Sequence, residues 1–597
     1  MNNAMYDEEA LGKAYDGRLM KRLILYLKPY ISQVLLTLIL LILSSLGILA
    51  GPILSQRAID NYIIPGDFQG LLLIVGLYLA ILVFVFVFQY FHYFIMNMIG
   101  QKIMYDMRSQ IFSHLQSRSL SYFDRNPIGR LVTRLTTDID GLNEMFTSGV
   151  VTIFGDLVLL FGIVAVLFYF NVKLALISIS VVPLLFGAAL VFKIKVRGGF
   201  RQIRILIARI NSFLQENITG MKIVQLFNRE DKNFRQFERV NADHLQTHIR
   251  TVFYHAVFFP TVEILSALAI AMIIWFGGLD VISRELTFGA LFMFVMYAQK
   301  FYRPIQDISE KYGILQSAMA TSERIFRLLD SKEEIPDRPD AVTLSTVRGD
   351  IEFRNVWFAY KENDWVLKDI SLRVKQGEKV AIVGATGAGK TTLISLLTRF
   401  YQVNQGEILV GGTNIENLTK ESLRKHIGVV LQDVYLFSGN VRDNITLGNE
   451  KISEEQLVQA ARDVNADQFI ARLEHGYDEI VRERGSNFST GQKQLMSFAR
   501  ALVYNPQILV LDEATSNIDT ETEILIQKAV SRLMEKRTSI IIAHRLSTIK
   551  NVDRIIVMHK GKIREAGTHK DLLEKRGIYY KLYHLQYKDQ EVLENVL

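Results

Sequence analysis

The sequence predicts a multidomain membrane protein, with a six-helix all-α transmembrane domain that has long cytoplasmic helical extensions, followed by an α/β domain built around a phosphate-binding loop. Three observations predict it. Residues 30 to 303 hold several apolar runs of about 20 residues, each long enough to cross a hydrocarbon core about 30 Å thick. Residues 384–391 read Gly-Ala-Thr-Gly-Ala-Gly-Lys-Thr, with the apolar run Val380 to Val383 before them and a helical stretch, Leu393 to Phe400, after them. From Ile351 onward, short strand-like runs alternate with helical stretches, as a largely parallel sheet requires. A chain of 597 residues also exceeds any single core, so at least two domains are expected.

The start, Met1 to Arg22, is polar and charged and does not resemble a cleavable signal sequence, so the first span is expected to serve as the insertion signal. Six spans are read at 30–54, 71–99, 148–170, 174–192, 252–279 and 287–303. Loops 55–70, 171–173 and 280–286 are short, and their only basic residues are Arg57, Lys173 and Arg284. Segments 100–147 and 193–250 are long and rich in Arg and Lys, which places them, both termini and the phosphate-binding domain in the cytoplasm. Residues 100–119 and 193–250 keep helical periodicity, so the membrane helices are expected to continue as stalks, about 25 residues reaching about 37 Å. Breakers and caps place the stalk tips near 121–131 and 211–220. Residues 1–330 form the transmembrane domain on this reading, 331–349, with Pro336 and Pro339 among charges, a linker, and 350–597 the α/β domain.

The net charge of +7 and pI near 9.1 come from basic residues flanking spans, where they meet anionic lipid headgroups, and do not indicate nucleic acid. The absence of cysteine excludes disulfides, cysteine-ligated zinc and a cysteine nucleophile.

The chemistry is concentrated in the second domain. Glycines let backbone N–H groups close around phosphate oxygens, Lys390 reaches the terminal phosphates, and the Thr391 hydroxyl is a ligand for Mg²⁺. The buried-strand run Ile508 to Leu511 ends in Asp512-Glu513, which puts two carboxylates at the carboxyl end of a strand, where ligands sit in open α/β folds. Asp512 suits Mg²⁺ and Glu513 suits an attacking water.

Further motifs follow in a fixed order. Tyr360 precedes the loop, and Gln432 follows a strand. Ser489-Thr490-Gly491-Gln492 leads into the helical run Lys493 to Leu502, and after the acid pair come Ser516-Asn517-Ile518-Asp519 and His544. This set resembles the signature and flanking motifs of ATP-binding cassette proteins, and with six spans ahead of it the chain resembles a half-transporter of the exporter type, with a P-loop ATPase domain. Phe123 to Leu131 and Gln215 to Glu230 are similar to that family's coupling segments. The resemblance implies that Tyr360 stacks on adenine, at about 1–3 kcal/mol by analogy with base–aromatic stacking. It implies that Gly384, Ala385, Thr386, Gly387, Ala388, Gly389, Lys390, Thr391 and Thr392 bind ATP, that Thr391, Gln432 and Asp512 hold Mg²⁺, and that Glu513, His544 and Gln432 form the catalytic set. Ser489, Gly491 and Gln492, at a helix start whose amides favour an anion, would face the γ-phosphate on a partner chain, and Asp519 joins the nucleotide-binding residues.

A second half-transporter is therefore implied, and the departures from the family pattern favour a different subunit over a second copy. Phe488 and Thr490 replace the usual leucine and first glycine of the signature, Arg482 stands where a glycine is usual, and Asn517-Ile518 replaces a common Ala-Leu pair.

Inside the membrane, Asp156 and Glu263 are costly carboxylates and thus candidates for substrate contact, with Gln89, His92 and His255 in other inner halves. Abundant Phe and Met along 84–94 and 288–296 suit an apolar cavity. The function expected is ATP-driven export of small hydrophobic or amphipathic compounds, drug or lipid, across the cytoplasmic membrane by alternating access. The alternative is a regulator or channel that uses ATP only to switch.

Overall fold

The computed structural model describes residues 16–344, 349–512, 520–543 and 546–586, and the chain divides into two compact units. The first comprises residues up to Gln116 together with Ile128–Ser331; the second comprises Ser117–Pro127 and the chain from Lys332 onward.

Among its described residues the first unit is helical, with short turns between helices. Short α1 (Gly17–Leu25) is held by a two-pronged Arg22–Asp330 bond, with the Arg22 guanidinium 4.0 Å above the Phe326 ring. The long elements are α2 (Ile31–Ala58) and α3 (Phe68–Gln116). After α4 (Leu120–Arg125), which belongs to the second unit, come α5 (Ile128–Leu135), α6 (Thr137–Glu144), α7 (Val151–Phe170), α8 (Val172–Ile179) and α9 (Val182–Thr219). Then follow α10 (Met221–Leu226), α11 (Glu230–Ile282) and α12 (Phe288–Leu329). Among the described residues, five helical stretches are long and apolar enough to span a bilayer, and the apolar start of α12, Phe288–Phe301, is a shorter sixth. At 1.5 Å per residue, the 49 residues of α3 and the 53 of α11 reach about 73 and 80 Å, far beyond a hydrocarbon core.

Two expectations shift. The span read at 174–192 is interrupted at Ser180-Val181, because Pro183 fits only the first turn of the helix that follows. The second stalk tip, read at 211–220, lies later: α9 runs unbroken to Thr219, and the reversal is made by Gly220, α10 and residues 227–229.

Close packing uses small residues. A Cβ on Gly162 would lie 2.3 Å from Leu49 Cδ1, and one on Gly47 would lie 2.4 Å from Val85 Cγ2, so α7 and α3 approach α2 where side chains are absent. The core collects Leu49, Ile163, Leu167, Leu174, Ile273, Met293, Phe294 and Tyr297. Pro52 inside α2 leaves the Ile48 carbonyl without its helical donor, and Lys300 of α12 donates to it at 3.3 Å, while Tyr297 donates to the neighbouring Leu49 carbonyl. At the outer ends, Asp60 accepts from the Thr287 hydroxyl at 2.6 Å and the Gly289 N–H at 2.8 Å, and Lys173 pairs with buried Asp280 at 2.7 Å.

The second unit holds two main sheets. Strands β1 (Ile351–Ala359), β2 (Trp365–Val374), β4 (Gln405–Val410) and β5 (Thr413–Asn414) form an antiparallel sheet in the order β2-β1-β4-β5. The larger sheet has the order β12-β11-β3-β10-β9-β6, with β3 (Lys379–Val383), β6 (Ile427–Val430), β9 (Ile508–Asp512), β10 (Thr538–Ile542), β11 (Arg554–His559) and β12 (Lys562–Gly567). It is parallel except at β12. Strands β9 and β10 are buried throughout, as expected of central parallel strands covered on both faces. Residues read as linker are pinned to this unit instead of hanging free: Arg399 bonds Asp337 and the Pro336 carbonyl, both at 3.0 Å, and Arg338 pairs with Glu416 at 2.7 Å.

Candidate nucleotide site

Strand β3 delivers the chain into the loop Gly384 to Gly389, and helix Lys390–Leu397 leaves it. Gly389 caps that helix in a left-handed conformation, φ 96°, and a Cβ there would sit 2.6 Å from Leu367 Cδ2. Ala385, Thr386 and Gly387 at the loop's crest are exposed, whereas Ala388 and Gly389 are buried beneath them. Lys390 is 8% exposed and folds back over the loop, donating to the Gly384 carbonyl at 2.7 Å and the Ala385 carbonyl at 3.3 Å. Burial holds its ammonium below the usual lysine range, opposed by the attraction of Asp512.

The parallel register assembles the rest. Ile542 lies beside both Ile382 and Asp512, and Val430 beside Leu511, so the carboxyl ends of β3, β10, β9 and β6 form one edge. Asp512, 6% exposed, ends β9, and the Thr391 hydroxyl donates to it at 3.4 Å. Gln432, exposed two residues past Val430, lies off the neighbouring strand end. A glycine cradle, a lysine, and a hydroxyl beside a carboxylate fit a nucleoside triphosphate with a divalent cation. Among the described residues no cluster of three or more His, Asp or Glu could cage a metal. That donor set suits Mg²⁺, which keeps waters and phosphate oxygens in its shell.

Tyr360 is 42% exposed, with its hydroxyl 3.1 Å from that of Thr392 on the helix after the loop. Its ring meets Phe358 and Tyr401 edge to face, at 4.8 and 5.1 Å. Tyr401 in turn donates to Asp124 in the 117–127 segment. Burial first, and then that bond, push the Tyr401 hydroxyl above the ordinary tyrosine range. Arg118 pairs with Glu334 at 3.1 Å, and Ser119 donates its N–H to the Glu333 carbonyl at 3.1 Å, fixing the same segment. Sequence reasoning missed Tyr401, since nothing local in the chain connects it to residue 124.

Ser489 caps helix Thr490–Val503 in a reciprocal box, accepting from the Gln492 N–H at 3.2 Å while the Gln492 side chain accepts from the Ser489 N–H at 3.0 Å. Phe488 is 7% exposed and faces the hydrophobic core, 6.4 Å from the Phe469 ring, so its replacement of leucine changes core volume and not the capped helix end. Arg482 adopts φ −73° and ψ 172°, a conformation any residue takes, so no glycine is required there. Thr490 and Ser489 are exposed and Gly491 is buried. Glu513, Asp519 and His544 lie outside the described residues, as do Asn517 and Ile518.

In the membrane unit, Asp156 is met by Lys311 at 2.5 Å, whereas Glu263 is exposed on α11. Buried His92 lies 3.2 Å from the Thr37 carbonyl, and His255 sits among Phe192 and Phe259 at 5.0 and 6.0 Å.

Apolar helices of bilayer-spanning length, joined in one chain to a triphosphate site of this kind, define an ATP-powered membrane transporter. Residues 34–305 match the family described as ABC transporter transmembrane region, and residues 367–516 the one described as ABC transporter. The chain is 37% identical over 582 residues to an uncharacterised ABC transporter ATP-binding protein of Bacillus subtilis, YknV, covering 97% of this chain and 96% of that protein. It is 40% identical over 507 residues to an ATP-dependent lipid A-core flippase of Syntrophus aciditrophicus, covering 85% and 84% of the two chains. Over 523 residues it is 38% identical to a probable multidrug resistance ABC transporter ATP-binding/permease protein of Bacillus subtilis, YheH, covering 87% and 77%. The chain belongs to the ATP-binding cassette transporter family. It is an ATP-hydrolysing, multi-pass membrane protein with its ATPase domain in the cytoplasm, and half-transporters of this family work as dimers.

Tyr360→Ala is expected to raise the KM for ATP about tenfold with a smaller change in kcat, because stacking is made before chemistry. Steady-state ATPase kinetics check it, and an unchanged KM removes Tyr360 as the adenine platform.

Proposed function

We propose that this chain is one half of an ATP-driven exporter of hydrophobic or amphipathic compounds, of the drug or lipid class, that works by alternating access with a different half-transporter as partner. The observation that carries the reading is the joining, in one chain, of bilayer-spanning helices to the paired Thr391 and Asp512 beneath a phosphate cradle. The relatives named as a lipid A-core flippase and a multidrug resistance transporter support this class of cargo.

In the proposed cycle, Lys390 exchanges its two carbonyl contacts for the terminal phosphates of ATP, and Tyr360 holds the adenine. Mg²⁺, when bound, supplies neutralisation of the charge that develops on the phosphate oxygens. Thr391 and Asp512 orient it, with Gln432 at the neighbouring strand end. Glu513 polarises the water for in-line attack, and His544 contacts the γ-phosphate. Ser489, Gly491 and Gln492 cover the ATP of the opposite chain, and Asp519 joins that interface. Segments 121–131 and 220–229 act as coupling elements. Exposed Ile223, Leu226 and Phe227 at the second tip form an apolar surface that a partner would cover. For the first segment, Asp124, Tyr401 and Tyr360 form a direct physical link to the base. Asp156 is read as a packing pair with Lys311, and exposed Glu263 remains a substrate-contact candidate.

The case for a different partner rests on Thr490. With Phe488 absorbed by the core, Thr490 is the one change in the signature that adds a side chain to the exposed helix start, where the commonest signature has glycine. Each signature serves the opposite ATP, so a homodimer would carry the added bulk at both sites. A heterodimer confines it to one.

Three outcomes follow from this reading. Glu513→Gln should leave ATP binding intact and slow hydrolysis at least about 100-fold, the scale of general-base help; near-normal turnover in the assembled dimer counts against Glu513. Tyr401→Phe keeps the ring contact and removes the bond to Asp124, so basal ATPase should stay within about twofold while substrate stimulation falls by more than half. Loss of both together, or of neither, sinks the link. Expressed alone, the chain should be inactive and rescued by a distinct half-transporter, and a stable homodimer with substrate-stimulated two-site ATPase would end the heterodimer proposal.

A further inference from the structure

Lys300 lies on α12, twelve residues from Phe288, about 18 Å below the helix start and so near the middle of a hydrocarbon core about 30 Å thick. Its ammonium donates to the Ile48 carbonyl at 3.3 Å, the carbonyl that Pro52 deprives of its helical partner four residues on. Among the described residues no carboxylate pairs with it. Two of its three N–H groups are therefore uncommitted. Capping a carbonyl needs only a neutral donor, and holding an ammonium at mid-depth costs more than one such hydrogen bond returns. The charge calls for another explanation.

Gly51, one residue before Pro52, leaves a methyl-sized notch beside it. A single point, where a Cβ on Gly51 would stand, lies 3.9 Å from the Lys300 Nζ and 3.8 Å from the Tyr78 hydroxyl of α3. That hydroxyl has no hydrogen-bond partner among the described residues. The notch thus presents an ammonium with two open N–H groups and a phenol that can donate or accept, with a net positive charge. Such a pair favours an anion.

We propose that Lys300 and Tyr78, across the Gly51 notch, form a head-group subsite for amphipaths bearing a phosphate or carboxylate. The subsite rests on the export reading for the direction in which such a molecule moves. It reverses the preference for cations that intramembrane carboxylates alone would imply. Asp156 is matched by Lys311 and Asp280 by Lys173, while Glu263 lies nineteen residues from Ile282, about 28 Å deep and near the inner boundary. At mid-depth, Lys300 keeps its charge for a ligand.

The test uses Lys300→Gln, whose amide still caps the Ile48 carbonyl, and Lys300→Arg, which restores the charge. Binding is measured in detergent with the purified transport-competent dimer, using a fluorescent phosphatidylglycerol, a fluorescent fatty acid, a fluorescent phosphatidylcholine and a rhodamine cation. Lys300→Gln should weaken binding of at least one anionic probe by tenfold or more, with the zwitterionic and cationic probes within twofold and thermal unfolding unchanged. Lys300→Arg should remain within threefold of the parent. An effect confined to phosphatidylglycerol identifies the ligand as lipid, and one confined to the fatty acid identifies a free amphipath. Equal weakening of all four probes, or no weakening of either anion, overturns the subsite. Transport of the same probes into proteoliposomes is read separately: a dimer that binds anions through Lys300, hydrolyses ATP and moves none of them refutes the export reading and leaves the subsite standing.

Discussion

Parallel pairing of β3, β10, β9 and β6 is the constraint on which the nucleotide site depends. Thr391 and Asp512 are 121 residues apart in the chain, and only the register that sets Ile542 beside both Ile382 and Asp512 brings their side chains within reach. A slip of one residue along β9 would turn Asp512 to the other face and put Leu511 at the site. The burial of β9 and β10 on both faces resists that slip, since each strand is gripped by two hydrophobic clusters, one on either side of the sheet. Core packing and chemistry are thus the same problem in this unit: the apolar residues that stabilise the sheet also locate the carboxylate.

The membrane unit answers a different constraint. Where water is absent, backbone groups must find partners within the protein. Proline inside α2 leaves the Ile48 carbonyl without its helical donor, and two polar side chains of α12, one turn apart, donate to it and to the neighbouring Leu49 carbonyl. The polar bonding at the proline is therefore shared between two helices. Glycine contacts at Gly47 and Gly162 bring α3 and α7 against the same helix. Helix α2 thus packs against α3, α7 and α12.

Legibility in the sequence followed the range of the interactions. The phosphate loop, Asp512 and the apolar spans were readable because each is a local pattern with a local cause. The interruption near Val181 was missed although Pro183 was there to signal it, because a hydropathy run averages over the break. Gly220 marked the second stalk tip, but polar residues before it blurred where the helix ended. Of the antiparallel sheet the sequence shows only a strand-like start at Ile351, and segment 331–349 reads as a linker because its anchors, Arg399 and Glu416, lie some 60 to 80 residues away. Phe488 read as a defect in the signature because sequence alone does not say which way a side chain faces. Lys300 is a single charge inside an apolar run with no local partner to mark it, and the link from Tyr401 to Asp124 spans 277 residues.

Four lysines in this protein separate into two classes by what they touch. Lys173 and Lys311 pair with carboxylates, and their charge is spent within the fold. Among the described residues Lys390 and Lys300 make no ion pair and rest on backbone carbonyls instead, of Gly384 and Ala385 in one case and Ile48 in the other. A carbonyl is a weak partner for an ammonium, since it carries only a partial charge, so an arriving phosphate or carboxylate displaces it favourably. For Lys390 the anion that does so is the triphosphate for which the loop is built. The same resting posture at Lys300, in a place where an unspent charge is far more costly, is the physical ground for expecting an anion there as well.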